Sequence, residues 1–214
     1  MLATVGSGDA EPKTADLSAV SLKSASEKYL SFGRPVPEAP ALISGRGPQQ
    51  QYLKKVPEEL RPDEERRFRV MSHLRSYIVA AAAGGAYQAD ELILTDRTVL
   101  GAGVALFNEH YLVYRIRRED GRFENRRLDW DRIPAGEILT ILLYYTTYRE
   151  NAVLSAGNAA GDEAVEKLAD AFLRYAVFAQ WYGYYDEAAK AAGKARALLP
   201  GPRIEKTIEH LLLR

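Results

Sequence analysis

The 214-residue chain contains no cysteine. Disulfides, thiol nucleophiles and cysteine-ligated zinc or iron–sulfur centres are therefore excluded. Net charge is missing as well: 29 Lys and Arg balance 29 Asp and Glu. Composition thus supplies no long-range pull toward nucleic acid or an anionic membrane. No stretch approaches the roughly 18 apolar residues of a membrane-spanning helix; the best candidate, YIVAAAAGGAY from Tyr77 to Tyr87, is too short. The three histidines, His73, His110 and His210, stand far apart and in no metal-binding spacing. No phosphate-loop pattern occurs, and Gly101 and Gly103 lack the third glycine and following helix of a dinucleotide fingerprint. GNAAGD at 157–162 precedes a helix and offers an anion only backbone amides. No cofactor and no metal are implied. The N-terminus has no basic region followed by an apolar run, so no signal peptide is expected. The default compartment is the cytoplasm, or an extracytoplasmic one if the chain is a mature fragment.

What is present is ordinary material for a soluble globular protein, 47% hydrophobic and 27% charged. Residues 1–16 are small and polar and read as a disordered tail. Residues 17–56 read as a weak helix (Leu17 to Phe32) and a linker rich in Pro and Gly, with Pro35, Pro37, Pro40 and Pro48. That linker is either an extended arm on the domain or a proline-rich ligand segment. A long helix is expected over 57–85. Pro57 and Pro62 suit its first turn, Phe68, Met71, Leu74 or Arg75, and Ile78 keep helical steps on one apolar face, and Gly84-Gly85 ends it. Glu64, Arg66, Arg67 and Arg69 are assigned to its polar face.

Residues 88–133 carry the strand signals. Leu112, Tyr114 and Ile116 alternate with Tyr111, Val113 and Arg115, and Asp120-Gly121 is a hairpin turn. Gly101 and Gly103 suggest a bulge or bend. Residues 134–214 then hold four helices, at 134–154, 162–182, 184–198 and 202–213, joined by short loops and so antiparallel. Asp162 is the expected cap of the second.

The spacing of Gly183, Tyr185, Ala188, Ala192, Ala195 and Pro200 resembles a tetratricopeptide repeat over residues 169–200. Phe172 stands at the usual tryptophan position, Ala176 replaces the usual glycine, and Ala179 replaces a large aromatic. The β segment is similar to small Src-homology-3-like or Sm-like barrels, although Asp96-Arg97 stands where such barrels place Asp-Gly. Together the two segments look like uncharacterised bacterial proteins with an extracytoplasmic barrel-plus-repeat architecture. The expected fold is therefore α+β: a small antiparallel β-barrel or meander flanked by an N-terminal helix and a C-terminal tetratricopeptide-like helical domain. One repeat cannot bury its own face, so other helices must complete it.

The resemblance implies an interaction role. Tyrosine is in excess, 13 against six Phe, and is concentrated in the helical half. Tyrosine joins contact area to a polar tip. Tyr145, Tyr148, Tyr182 and Tyr185 are the candidate contacts for a protein or peptide partner, or for a second copy in a homo-oligomer. The alternative is that these rings fill the helical core. A second reading is nucleic-acid binding by the β segment, through Arg117, Arg122 and Arg126 with neighbouring aromatics; nearby Glu and Asp nearly cancel that charge. A third places an enzyme site at the barrel–helix junction, using Asp129, Asp131 or His110. Two carboxylates two apart on a strand would share a face. The leading expectation is a non-enzymatic interaction module.

Overall fold

The computed structural model describes residues 14–37 and 46–214. All but the last three residues of the expected tail lie outside them, as does Pro40. Residues 15 and 16 are held in place: Arg196 donates to the Ala15 carbonyl at 2.9 Å, and the Asp16 carboxylate accepts from Ser18.

Helix α1 (Ala19–Ser31) starts where Ser18 Oγ accepts the Ser21 amide, a side-chain cap. Leu22, Ser26 and Tyr29 recur at helical steps and face the core. Within the expected linker a further helix appears, α2 (Arg46–Leu53), followed by α3 (Arg61–Ser72) and α4 (Leu74–Ala82). The single long helix expected here divides at His73. That residue leaves helical geometry (φ −96°, ψ 2°), and its Nδ1–H donates to the Arg69 carbonyl at 2.7 Å.

The strands are β1 (Tyr87–Ala89), β2 (Leu92–Ile93), β3 (Val99–Leu100), β4 (Gly103–Phe107), β5 (Tyr111–Arg117) and β6 (Phe123–Asp129). Four of them form an antiparallel sheet in the order β1-β4-β5-β6, while β2 and β3 make a separate hairpin. The sheet is open, not closed into a barrel: its two edges, β1 and β6, have no strand partner on their outer sides among the described residues. The alternation expected in β5 holds. Leu112 and Tyr114 are buried against the helices, whereas Arg115 and Arg117 are exposed. The Asp120-Gly121 turn has the positive φ it requires (80°). Gly103 is needed for close approach: a Cβ there would sit 2.5 Å from the Arg115 carbonyl oxygen and 2.9 Å from the Tyr114 ring.

After the sheet come α5 (Ala135–Ala156), α6 (Asp162–Trp181), α7 (Tyr185–Leu198) and α8 (Pro202–Ile208), with a π-helical turn over Glu209–Leu213. Asp162 is the first residue of α6, and Gly161 occupies the cap position without a side-chain bond. Gly183 reverses the chain at φ 85°, so α7 folds back on α6. Ala188, Ala192 and Ala195 are fully buried in that seam, as their small size permits. The hairpin is completed by α1 and the C-terminal turn, which pack against it. One continuous apolar cluster runs from Leu22 to Leu212 and joins the sheet to the helices.

Candidate functional site

Three tyrosines of α5 grip the end of α4. Tyr144, Tyr145 and Tyr148 donate their hydroxyls to the carbonyls of Ala86 (3.4 Å), Gly85 (3.2 Å) and Gly84 (3.5 Å). The last carbonyls of α4, Ala80 to Ala82, accept the amides of Ala83 to Gly85, and this comb holds the chain that exits the helix. Tyr145 is only 3% exposed; its ring meets Phe107 and Tyr144 edge-on. Burial holds its phenol above the ordinary range. Tyr145 is therefore a packing residue and not a contact surface, a correction to the expectation. Tyr148, at 55% exposure, keeps its ring in solvent.

Tyr182 and Tyr185 lie elsewhere. Tyr182 packs on Phe178 with ring centroids 4.7 Å apart, and its shielded hydroxyl has no partner among the described residues. Tyr185 is half-buried against the core. The four candidate tyrosines do not form one surface, because α5 and the α6–α7 turn direct them to different neighbours.

Tyr148 does line a groove. A cleft of about 620 Å³ runs between β1 with its following loop (Tyr87 to Glu91) and one face of α5. Leu143, Tyr144, Thr147, Tyr148 and Asn151 form the helical wall. Leu143 is 47% exposed. Three carboxylates, Asp90, Glu91 and Glu137, line the other end, with no Lys or Arg among the lining residues. Burial raises the Glu137 pKa, opposed by the Ile93 amide that donates to it at 3.4 Å. Tyr87, whose ring meets Tyr144 edge-on at 5.1 Å, is pushed up to about 12 by burial and by the Glu137 charge. The groove thus places a free sheet edge beside an aromatic helix face with an acidic rim. Sequence analysis missed β1 because three residues give too little alternation to detect.

The three arginines of the nucleic-acid alternative do not share a face. Strand side chains alternate, so Arg117, opposite Phe123, points away from Arg126, which lies opposite Tyr114. Arg122 sits beyond both in the turn. Arg126 and Arg118 both bind Glu124, at 2.9 and 2.5 Å, and Arg122 lies 3.9 Å from Asp120. On the solvent face Arg127 stacks over Tyr111 at 3.9 Å.

The junction residues are separated too. Strand β6 ends at Asp129, and Trp130–Arg132 turns as a 3-10 helix, so Asp129 and Asp131 do not face the same way along a strand. Both are exposed, as is His110. The Asn108 side chain shapes that turn by accepting the His110 and Tyr111 amides at 2.9 Å each. Among the described residues no group of three or more His, Asp or Glu converges as a metal site.

The feature least legible beforehand is a buried charge cluster. Glu64 and Arg67, assigned to a polar helix face, are both buried. Arg34 binds Glu64 through two bonds, Nε at 2.6 Å and Nη2 at 2.7 Å, and Arg67 binds it at 2.8 Å. Tyr52 adds a hydroxyl at 3.2 Å. The guanidinium of Arg34 lies over the rings of Trp181 (4.3 Å) and Tyr29 (4.6 Å). Arg67 also donates to the main-chain oxygens of Leu211 and Arg214, and Gln180 to those of Leu22 and Leu212. Two oxygens of the π-helical turn, Leu211 and Leu212, and that of the terminal Arg214 thereby gain partners. With both cations committed to protein oxygens and aromatic faces, this cluster is a structural clasp.

Comparison with protein-family models, with curated proteins and with solved structures returns no match for this chain.

Proposed function

We propose that the protein is a non-enzymatic interaction module that receives an extended, basic peptide segment in the groove between β1 and α5. The observation that carries this is the pairing of an edge strand that has no strand partner on its outer side among the described residues with an exposed helix face bearing Leu143, Tyr144 and Tyr148. A strand edge offers unpaired amides and carbonyls to an incoming strand, and pockets on one side select its alternate side chains. The carboxylates of Asp90, Glu91 and Glu137 set the charge of the partner: Lys or Arg at the end that reaches them. On this reading the α6–α7 hairpin serves as a tetratricopeptide-like scaffold that holds α5, and the β segment is an open relative of a small barrel. The Tyr-rich surface is then narrower than the one expected from composition, resting on Tyr148 and Tyr144 without Tyr145, Tyr182 or Tyr185.

Selection from a displayed library of random extended peptides tests this. Enriched sequences should alternate apolar and polar positions and carry a basic residue, and their binding should fall at least tenfold with Leu143→Asp. An absence of enrichment, or binders indifferent to Leu143→Asp, would contradict it.

A further inference from the structure

A second cleft, sharing no lining residue with the peptide groove, gathers charge of the opposite sign. It is an open cleft between α3–α4, α6 and the C-terminal helix, of about 870 Å³, within the range of small-molecule sites. Its lining includes four Arg, one Lys and two His, and no carboxylate. In a chain of zero net charge this is local segregation and not a general excess.

Ion pairing at the walls uses up part of that charge. Arg66 binds Asp63 at 2.9 Å, Arg174 binds Asp170 at 2.7 Å, and Arg203 lies 3.8 Å from Glu166. Arg69 on α3 and Lys206 on α8 come from different walls, and neither has a carboxylate in ion-pairing distance among the described residues. The lining also carries apolar surface, with Val70, Leu211 and the ring of Tyr77. The Tyr77 hydroxyl is shielded from water without a hydrogen-bond partner among the described residues. Arg174 lies over that same ring at 5.2 Å.

From this geometry we infer that the cleft binds a small amphiphilic anion, an aromatic or alkyl body ending in a phosphate, sulfonate or carboxylate. The body rests on Val70, Tyr77 and Leu211, and the head lies between Arg69 and Lys206. A bare inorganic anion would use only the rim, and a neutral aromatic only the floor. A ligand that joins the two should exceed both.

Calorimetric titration of the full chain with phenyl phosphate, inorganic phosphate and benzyl alcohol separates these contributions. Phenyl phosphate should bind at least tenfold more tightly than either fragment. The double variant Arg69→Ala with Lys206→Ala should reduce its affinity at least tenfold. Arg69→Lys with Lys206→Arg should retain most of it. Both positions are exposed, so the fold should survive, and the thermal transition of each variant verifies this. Equal affinity for phenyl phosphate and phosphate, unchanged affinity in the alanine variant, or no binding at all would overturn the inference. Leu143→Asp should leave phenyl phosphate binding unchanged, so failure of the peptide groove and failure of this site are distinguishable.

Discussion

Arg34 and Glu64 form a bidentate ion pair, at 2.6 and 2.7 Å, in which the Glu64 side chain has no exposure at all. A buried pair of this kind adds little net stability over an apolar replacement, but losing one member strands its partner in a medium that solvates it poorly. Glu64→Ala would leave both Arg34 and Arg67 without their carboxylate. The expected cost is about 3–5 kcal/mol, read from denaturant unfolding. Because Arg67 also holds the carbonyls of Leu211 and Arg214, Arg67→Met should loosen the C-terminal turn, with faster amide exchange there.

Arg97 is the one non-glycine residue with positive φ among the described residues, at 65°. Its exposed side chain makes no hydrogen bond or ion pair there. Left-handed backbone costs an L-residue roughly 1–2 kcal/mol that glycine does not incur, offset in part by glycine's greater freedom when unfolded. Arg97→Gly should therefore stabilise the protein by about 0.5–1 kcal/mol, measured as a shift in the denaturation midpoint.

Gly103→Ala should do the opposite. The new methyl would meet the Arg115 carbonyl oxygen of the adjoining strand, which cannot move without breaking the β4–β5 ladder. Overpacking of this kind costs about 1–3 kcal/mol. The same substitution at Gly101, where nothing lies within 4 Å of the added carbon, should be nearly neutral.

High pH should unfold the protein steeply. Burial raises the phenol pKa of Tyr29, Tyr77, Tyr114 and Tyr175 above the ordinary value of 10.0, and that of Tyr87 to about 12. Above pH 10 the unfolded chain gives up these protons while the folded chain, with its phenol pKa values raised, holds on to them longer. Stability is therefore fully present below pH 10 and falls as pH rises beyond it. Tyrosinate absorption from the buried rings should appear together with loss of helical circular dichroism, not ahead of it.

Local rules carried much of the fold. Gly183 and the Asp120-Gly121 pair were readable because positive φ there demands glycine. The α7 alanines were readable because their spacing puts them in one seam. What escaped depends on partners far along the chain. Glu64 and Arg67 look like surface residues until Arg34, Tyr52 and the C-terminal carbonyls close over them. Tyr145 looked like a contact residue because sequence cannot show that the Gly85 carbonyl would lie against its hydroxyl. The acidic groove was hidden for a similar reason: Asp90 and Glu137 are far apart in sequence, and β1 is too short to announce itself. The arginine cluster failed in a different way, since neighbours in sequence were divided by the period of the strand.

Amide hydrogen exchange of the full chain, with and without a library-selected basic peptide, tests the proposed groove most directly. Bound peptide should slow exchange at the outward-facing amide of Gln88 and broaden or shift the ring resonances of Tyr144 and Tyr148, while β6 at the opposite edge stays unchanged. Protection confined to β6 or to the α6–α7 hairpin, or no change at β1 under saturating peptide, would contradict the account.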